Sequence, residues 1–261
     1  MTHPLAPRIQ VIDEAYEIPE LGRTRRISAL LPHDYDQTDR AYPVLYLHDG
    51  QNLFNKEAPY GNWGIDQSLA RLAEKKQANL IIIAVDHGDE ERIMEYSPYD
   101  NARFGPGQGE AYLQFLMKTL KPYVDANFRV LAAREHTGIG GSSMGGLISL
   151  YAGICHKAVF GRMMIFSPSL WIAEQVFRDA EAFVPDPGTR IYLYAGARES
   201  STHIPNVMRL RSAIQTRTAA FGDLQLEVSI HPEGTHSEVY WGMAFPHAVK
   251  WLFFHQQAER P

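Results

Sequence analysis

Short runs of apolar residues alternate, along most of the chain, with longer segments in which apolar residues recur every three or four positions. The short runs are rich in Val, Ile and Tyr, and most end in polar or glycine residues, which is typical of parallel strands covered on both faces. The longer segments have the period of amphipathic helices. This alternation predicts an α/β fold, with right-handed crossovers between the parallel strands.

The pattern assigns boundaries to these elements. Two N-terminal strands, 8–16 and 25–32, are separated by a turn-like PELGR segment and are expected to be antiparallel. The other predicted strands span 44–49, 80–86, 136–141, 162–168, 191–196 and 226–232. The predicted helices span 65–76, 110–124, 143–154, 170–183, 205–221 and 239–257, and Pro246 is expected to kink the last one or divide it in two. No repeat or linker interrupts the pattern, so residues 1–261 are predicted to form a single domain, a mostly parallel central sheet with helices on both faces.

Composition excludes several classes of protein. The formal charge is −5, so there is no electrostatic case for binding nucleic acid or an acidic membrane. The N-terminus lacks a basic segment followed by an apolar one, and no apolar run reaches the roughly 18 residues of a spanning helix. We therefore expect a cytoplasmic protein. The one cysteine, Cys155, is expected to be a packed core thiol, and it excludes an internal disulfide or a multi-cysteine metal site.

In open α/β sheets, ligands bind beyond the carboxyl ends of the strands, so the glycine-rich stretch GIGGSSMGGL (138–147) is the first candidate. It follows a predicted strand and begins a predicted helix. It cannot be a phosphate-binding P-loop, because no lysine occurs between Lys121 and Lys157. It also fails the dinucleotide-binding pattern, since Ser143 stands where the third glycine is needed.

The same stretch fits G-x-S-x-G, the nucleophile elbow, in one register only. Gly141 and Gly145 flank Ser143 at the required spacing, whereas Ser142 would need a glycine at the position of Met144. The serine of an elbow stands on a tight strand-to-helix turn where side chains two residues away would collide with the backbone. We therefore predict that Ser143 is a nucleophile; the alternative is a glycine-rich turn of purely structural use.

A serine nucleophile needs a histidine base and an acid that orients it, and in α/β-hydrolases the chain order is serine, acid, histidine. His236 lies in the loop PEGTHSE, between the last predicted strand and the final helix, and is predicted to be the base. Glu199 follows strand 191–196 in AGARES and is predicted to be the acid; its alternative is a surface carboxylate paired with an arginine. The other histidines after Ser143 are expected to be helical, strand or loop positions without a catalytic role: His156, His203, His231, His247 and His255.

An oxyanion hole in this fold combines the N–H of the residue after the nucleophile with one from the loop after an early strand. Those donors are predicted to be the N–H groups of Met144 and Gln51, the latter in LYLHDGQNLF (45–54). His48 and Asp49 precede Ser143 in the chain, so we expect them to support the loop rather than to react. Asn52, next in that loop, is a candidate pocket residue.

Together LYLHDGQNLF, GNWGIDQSL, GGSSMGGL, AGARES and EGTHSEVYWGMAFPHAVKWLF resemble an esterase family of α/β-hydrolases. Its members include enterochelin-type esterases, S-formylglutathione hydrolase, feruloyl and acetylxylan esterases, and mycolyltransferases. The resemblance covers about residues 25–255. It implies an α/β-hydrolase fold and the same five assignments for nucleophile, acid, base and oxyanion donors. It also implies that Trp63 and Asp66 lie near the pocket mouth, with core packing the alternative for Trp63; Trp241, in the last motif, is a further candidate pocket residue.

The polar stretch 86–112 is long for a loop in a compact domain, and such loops are usually functional. We expect it to form one wall of the pocket or a lid, held in place by Arg92, Glu95 and Tyr96.

The predicted function is hydrolysis of a small or medium carboxylic ester through a Ser-His-Glu triad and an acyl-enzyme intermediate. The expected partner is a small-molecule ester, and neither a metal nor an organic cofactor is implied. A thioesterase or an acyltransferase would use the same residues and stays open. From a different class, a catalytically silent α/β-hydrolase that serves as a binding module is the remaining alternative.

Overall fold

The computed structural model describes residues 3–55, 57–58, 61–221 and 224–255. Eight strands form one sheet in the order β1-β2-β4-β3-β5-β6-β7-β8. Neighbours from β3 to β8 are parallel, whereas β2 is antiparallel to both β1 and β4. The strands are β1 (Arg8–Ile18), β2 (Arg23–Leu31), β3 (Val44–His48), β4 (Ile81–Val85), β5 (Thr137–Ser142), β6 (Arg162–Phe166), β7 (Arg190–Gly196) and β8 (Gln225–His231). The predicted α/β class and antiparallel N-terminal strands are confirmed.

The helices connect these strands, as the periodicity predicts. They are α1 (Ile65–Glu74), α2 (Arg92–Glu95), α3 (Gly109–Phe115), α4 (Lys121–Asn127), α5 (Met144–Cys155), α6 (Gln175–Ala182), α7 (His203–Phe221) and α8 (Glu238–Val249). A π-helical segment, Leu116–Leu120, joins α3 to α4, and a second one, Lys250–Phe254, continues α8.

The sheet separates two hydrophobic cores, because successive side chains of a strand point to opposite faces. In β3, Val44 and Tyr46 pack in one core with residues of α3 and α5, while Leu45 and Leu47 pack in the other with residues of α1 and α8. All five residues of β3 are buried. This double burial explains why the central strands have nearly continuous apolar runs, and it holds their carboxyl ends rigidly at one edge of the sheet.

Several predicted boundaries are wrong. The predicted helix 170–183 begins only at Gln175; the turn before it closes on itself through the bond from the N–H of Ile172 to the carbonyl of Ser169, and the carbonyl of Ile172 accepts from the Asn101 side chain. The short helix α2 was not predicted. The last helix is not divided at Pro246, since α8 continues through it to Val249; packing of its buried face outweighs the one lost hydrogen bond. Positions 256–257 of that prediction lie outside the described residues.

Cys155 is exposed, so the prediction of a packed core thiol is wrong. It is the last residue of α5, where the helix leaves the sheet. None of the helices in the described ranges has both the length and the hydropathy of a membrane-crossing segment.

Candidate active site

Ser143 stands between β5 and α5 in a backbone conformation that serine rarely adopts, with φ 58° and ψ −119°. Three backbone hydrogen bonds hold it there. Its N–H donates to the carbonyl of Phe166 (3.0 Å), and its own carbonyl accepts from the N–H groups of Ser169 (3.0 Å) and Leu147 (3.1 Å). A strained backbone conformation of this kind persists only where the surrounding contacts hold it in place, and such conformations are concentrated at active sites. The turn therefore has the geometry of a nucleophile elbow.

The two glycines of the elbow leave little room for a side chain, because the backbone of Gly145 faces Gly141 and the buried His48 lies against both. A Cβ at Gly141 would lie 3.1 Å from Cδ2 of His48, and one at Gly145 would lie 3.2 Å from its Cβ. The His48 ring contacts Tyr96 and Tyr112, and its Nδ1 is 2.9 Å from the Tyr112 hydroxyl. Burial lowers the pKa of His48 to about 4, so the ring is neutral at pH 7. His48 supports the elbow by packing, in the supporting role expected of it.

His236 and Glu199 are in direct contact. Nδ1 of His236 lies 2.7 Å from Oε2 of Glu199, and because a carboxylate only accepts, the imidazole N–H is the donor. The Glu199 side chain is buried, with 3% exposed, whereas that of His236 is 44% exposed. The His236 ring also meets Trp241 edge to face, at 4.9 Å between centroids. A fixed acid thus orients an accessible imidazole.

Two loops approach closely enough to make this contact because they follow the neighbouring strands β7 and β8. The N–H of Ala197 donates to the carbonyl of His231, and that of Arg198 donates to the carbonyl of Gly234. A Cβ at Gly196 would lie 2.4 Å from the carbonyl oxygen of Gly234, so a side chain there would push the loops apart. The glycines in AGARES and PEGTHSE are thus the sequence signal of this junction.

Glu199 is held by a residue that the sequence did not single out as functional. Oε1 of Glu199 accepts hydrogen bonds from the Ser167 hydroxyl (2.6 Å) and from the Gly196 N–H (2.7 Å). The Ser167 hydroxyl in turn accepts from Nε1 of Trp241 (2.9 Å). Ser167 follows β6 at the carboxyl edge of the sheet, and that position is the signal that could have identified it.

The pKa of Glu199 reflects these contacts. Burial alone would raise it, but the hydrogen bonds from His236 and Ser167 outweigh burial. The pKa therefore lies below its ordinary value, and Glu199 is a carboxylate at neutral pH.

A second histidine faces the same carboxylate. Nε2 of His203 lies 3.3 Å from Oε2 of Glu199, and the His203 side chain is only 11% exposed. That Nε2 has no well-aligned hydrogen-bond partner among the described residues. Burial, the largest effect, lowers the pKa of His203; the Glu199 carboxylate raises it and the nearby His236 lowers it, and the net change is downward. His203 is the first residue of α7 and stands four positions after Glu199 in the chain, a short spacing that could have linked the two side chains in the sequence.

The predicted oxyanion donors, Gln51 and Met144, follow β3 and β5 in the chain. Met144 is the first residue of α5, so its N–H is among those that an α-helix leaves without an internal partner. Gln51 lies in the single helical turn after β3, and its side chain is fixed by the backbone of His87, whose N–H donates to Oε1 of Gln51 (2.9 Å). Both N–H groups belong to rigid turns at the carboxyl edge of the sheet.

Ser143 and His236 line one cavity of about 760 Å³, a size in the range typical of small-molecule sites. Of the predicted pocket residues, Asn52, Trp63 and Trp241 line it as well. Trp63 also belongs to the core, since its ring stacks on Phe166 at 5.3 Å. Asp66 lies in the first turn of α1 and is not among the residues that line the cavity, so its expected place near the pocket mouth stays a prediction.

The segment 86–112 forms a wall of the cavity through its first part. His87, Asp89, Glu90, Arg92 and Ile93 line the cavity, whereas none of residues 97–108 does. The later part is tied to α6 instead, where the Tyr99 hydroxyl donates to Asp179 (2.6 Å).

Three contacts hold this wall. Arg92 binds Asp49 through two parallel hydrogen bonds of 2.6 and 2.8 Å. Glu95, fully buried, pairs with Arg23 (2.6 Å) and with Arg25. The Tyr96 ring packs on His48.

The mostly parallel sheet, the serine elbow after its fifth strand and the histidine loop after its last strand define an α/β-hydrolase. A family model described as "Putative esterase" matches residues 18–252. The chain belongs to this family and is an esterase, an enzyme that hydrolyses carboxylic esters.

Two relatives share part of this sequence. The YbbA protein of Bacillus subtilis is 26% identical over 242 residues, which are 88% of this chain and 92% of that protein. Esterase Rv1288 of Mycobacterium tuberculosis is 30% identical over 135 residues, which are 52% of this chain and 27% of that protein.

Solved structures share the fold. An IroE-like serine hydrolase from Shewanella oneidensis superimposes with a TM-score of 0.75 at 19% identity, covering 95% of this chain and 80% of that one. A ferulic acid esterase gives 0.68 at 18% identity, covering 95% and 98%. The enterobactin esterase of Shigella flexneri gives 0.74 at 20% identity, covering 95% and 60%.

Proposed function

We propose that this esterase uses Ser143 as its nucleophile, His236 as its general base and Glu199 as the acid that orients the base. One observation carries the proposal: Ser143, on a strained elbow, lines the same cavity as His236, and His236 is hydrogen bonded to a buried carboxylate. These are the geometric roles by which a serine triad is recognised.

In this mechanism the Ser143 hydroxyl attacks the ester carbonyl carbon while His236 takes its proton. Glu199 stabilises the imidazolium that forms, and the N–H groups of Gln51 and Met144 bind the oxyanion, each worth about 2.7–4 kcal/mol of the barrier. His236 then protonates the leaving alcohol, and an acyl-enzyme on Ser143 remains. Water, activated by His236, releases the acid and restores the serine.

The substrate is proposed to be a small or medium ester. The relatives named above include a ferulic acid esterase and an enterobactin esterase, so the fold accommodates acyl groups of different size. The aromatic side chains of Trp63 and Trp241 give this cavity an apolar side on which an acyl or alcohol group could pack. We further propose that residues 1–261 act as a single domain, since one sheet draws strands from both ends of the described chain.

Replacement of the nucleophile tests the proposal. Ser143→Ala is expected to lower kcat on p-nitrophenyl acetate by about four orders of magnitude or more, because triad members act as a unit. Ser142→Ala, the matched change one residue earlier, is expected to keep measurable turnover. Mass spectrometry of the native enzyme, quenched during turnover, should find the acyl group on the peptide that contains Ser143. Unchanged hydrolysis by Ser143→Ala would refute the assignment.

The alternatives give different results in the same assays. A thioesterase would prefer the thioester of a matched ester–thioester pair, and an acyltransferase would pass the acyl group to an added alcohol faster than to water. A silent binding module would hydrolyse none of these substrates.

A further inference from the structure

The proposed nucleophile is in contact with a second serine. Oγ of Ser143 lies 3.2 Å from Oγ of Ser169, which belongs to the loop after β6. Ser169 is buried, with 4% exposed, and is not among the residues that line the cavity. A buried hydroxyl needs a hydrogen-bond partner. Within the described ranges, the partner of this hydroxyl is the reacting atom of the proposed nucleophile.

The backbone holds the two hydroxyls close together. The N–H of Ser169 donates to the carbonyl of Ser143 (3.0 Å), and the carbonyl of Ser169 accepts from the N–H of Ile172 (3.2 Å). Helix α5 packs closely on the same loop, since a Cβ at Gly146 would lie 2.8 Å from the carbonyl oxygen of Phe166. The position of a serine oxygen depends on a single side-chain torsion. The contact therefore follows from the backbone and does not depend on long, flexible side chains.

The same loop contacts the other end of the proposed triad. Ser167 and Ser169 stand on either side of Pro168, and the Ser167 hydroxyl donates to Oε1 of Glu199 (2.6 Å). Ser167 has φ 44°, in the left-handed region that residues other than glycine rarely adopt. One short, constrained loop thus supports the acid through one serine and contacts the nucleophile through the other.

The order of proton donors decides which serine donates in this contact. Nδ1 of His236 donates to Glu199, so Nε2 of the neutral ring carries no proton and is an acceptor. In the proposed mechanism the Ser143 proton passes to that Nε2. A hydroxyl has one proton to donate, so Ser169 is then the donor and Oγ of Ser143 the acceptor. Hydrogen bonds aligned in this way, all directed toward one carboxylate, strengthen one another.

The hydrogen bond from Ser169 becomes stronger as the reaction begins. At 3.2 Å it is longer than the roughly 2.7–2.8 Å typical of hydroxyl pairs, so it contributes little in the resting enzyme. While His236 takes the proton, negative charge develops on Oγ of Ser143. A hydrogen bond to a charged acceptor is shorter and about twice as strong as a neutral one. An interaction that strengthens in the transition state lowers the barrier.

We propose that Ser169 takes part in catalysis: its hydroxyl donates a hydrogen bond to Oγ of Ser143, which leaves the Ser143 proton directed to His236 and stabilises the charge that develops on Oγ during attack. Ser169 keeps its own proton throughout. This inference rests on the proposed function and adds a fourth side chain to the proposed triad.

Removal of the hydroxyl tests this role. Ser169→Ala should lower kcat/KM on p-nitrophenyl acetate about tenfold, because kcat/KM reports the steps up to acylation and one charge-assisted hydrogen bond is lost. The Ki of p-nitroacetanilide, the amide counterpart of this ester, should stay unchanged, since Ser169 is not among the lining residues. The acid side of the pH profile should also keep its position, since the bond between His236 and Glu199 does not involve Ser169.

An organophosphate measures the reactivity of Oγ directly. Diethyl p-nitrophenyl phosphate forms a bond between phosphorus and Oγ of the nucleophile and releases p-nitrophenolate, so its second-order rate of inactivation contains no deacylation step. This rate should fall in Ser169→Ala by about the same tenfold factor. Mass spectrometry should find the diethyl phosphoryl group on Ser143 in both proteins.

Matched variants separate hydrogen bonding from packing. Ser169→Cys keeps nearly the shape of serine but has only a weak S–H donor, so both rates should stay close to those of Ser169→Ala. Ser169→Thr keeps the hydroxyl and should recover part of both rates. The control is Ser97→Ala, which removes another buried serine hydroxyl, one that donates to the carbonyl of Tyr99, and it should leave both rates native. Melting temperatures are measured in parallel, and rates are compared where every variant is folded.

The outcomes distinguish this inference from the function on which it rests. Native rates of hydrolysis and inactivation in Ser169→Ala, or in Ser169→Cys, would overturn the role of Ser169 and leave Ser143 as the nucleophile. A loss of kcat/KM matched by an equal rise in Ki would also overturn it, since substrate binding would then be the cause. A phosphoryl group found on a residue other than Ser143 would refute the proposed function itself.

Discussion

His203 and Glu199 form a buried contact behind the proposed catalytic dyad: Nε2 of His203 is 3.3 Å from the same Oε2 that lies 2.7 Å from Nδ1 of His236. One carboxylate oxygen thus faces two imidazoles, one buried and one exposed. Since burial lowers the pKa of His203, its ring is neutral at pH 7 and acquires a proton only in acid. A protonated His203 would oppose formation of the His236 imidazolium and weaken Glu199 as its partner.

We therefore expect His203 to affect the pH profile more than the activity at neutral pH. In the native enzyme, protonation of His203 in acid should steepen the fall of kcat/KM with decreasing pH. In His203→Gln, which keeps an N–H donor but cannot be protonated, the fall should be less steep. The measurement is kcat/KM on a neutral ester from pH 4.5 to 8.

The matched control is His156→Gln, because His156 pairs with Glu110 at the far end of α5. This variant should keep the native profile. A His203→Gln profile that coincides with the native one would show that His203 only fills space.

Ser167→Ala should reduce kcat and leave KM nearly unchanged. The substitution removes the hydroxyl that donates to Oε1 of Glu199 and leaves Nε1 of the buried Trp241 without its acceptor. Loss of one hydrogen bond to a charged group costs about 1.5–3 kcal/mol, which corresponds to roughly a ten- to hundredfold loss of rate if it is expressed in the transition state. The hydrogen bond from Ser167 also lowers the pKa of Glu199. Without it, we expect kcat to begin its fall on the acid side of the pH profile at a higher pH than in the native enzyme.

Ser167→Thr restores the hydroxyl and should recover part of kcat. Equal loss in the Ala and Thr variants would point to a packing effect instead of the hydrogen bond.

His48 should make the fold less stable in acid. Its pKa is about 4 in the folded protein and about 6.5 when unfolded, so the unfolded chain binds more protons between these values. Stability is therefore fully present above about pH 6.5 and falls as the pH decreases toward 4, by up to about 3 kcal/mol from this group.

His48→Asn removes this proton uptake, and its free energy of unfolding should depend less on pH across that window. Urea unfolding of both proteins at pH 7 and pH 4.5 measures the difference. An identical pH dependence of unfolding in the two proteins would contradict the buried, neutral state of His48.

Arg92→Met should destabilise the protein by about 3–5 kcal/mol, because it leaves the buried Asp49 carboxylate without its partner. The loss should extend to activity, since the pair joins the cavity wall to the loop that contains Gln51. The double variant Arg92→Met, Asp49→Asn removes both charges and should recover a substantial part of the stability. Chemical denaturation of the native protein, the single variants Arg92→Met and Asp49→Asn, and the double variant gives the coupling between the two residues, and simple additivity would argue against a direct interaction.

Much of the architecture could be predicted from the chain because its signals are local. The two periods of apolar residues located all eight strands to within about two residues at each end, and the glycines around Ser143 distinguished it from Ser142. His236 and Glu199 were selected because each follows a strand, and all strands from β3 onward end at the same edge of the sheet. The short helix α2 carries no such period. The turn before α6 is bonded to Asn101, which lies 71 positions before Ile172 in the chain, so no local pattern could predict that contact.

What the sequence by itself determined was the order of elements, the strained turn and the positions that a parallel sheet brings to one edge, because periodicity and glycine spacing act within a few residues. Only the tertiary structure decided which side chains complete the site. Ser167 reaches Glu199 across two neighbouring strands, and the side chain of His203 lies against Glu199 at the start of α7. These relationships depend on distances between segments far apart in the chain. They are set by how β6, β7 and β8 pair and by which side chains fill the space between them, and no local pattern encodes that packing.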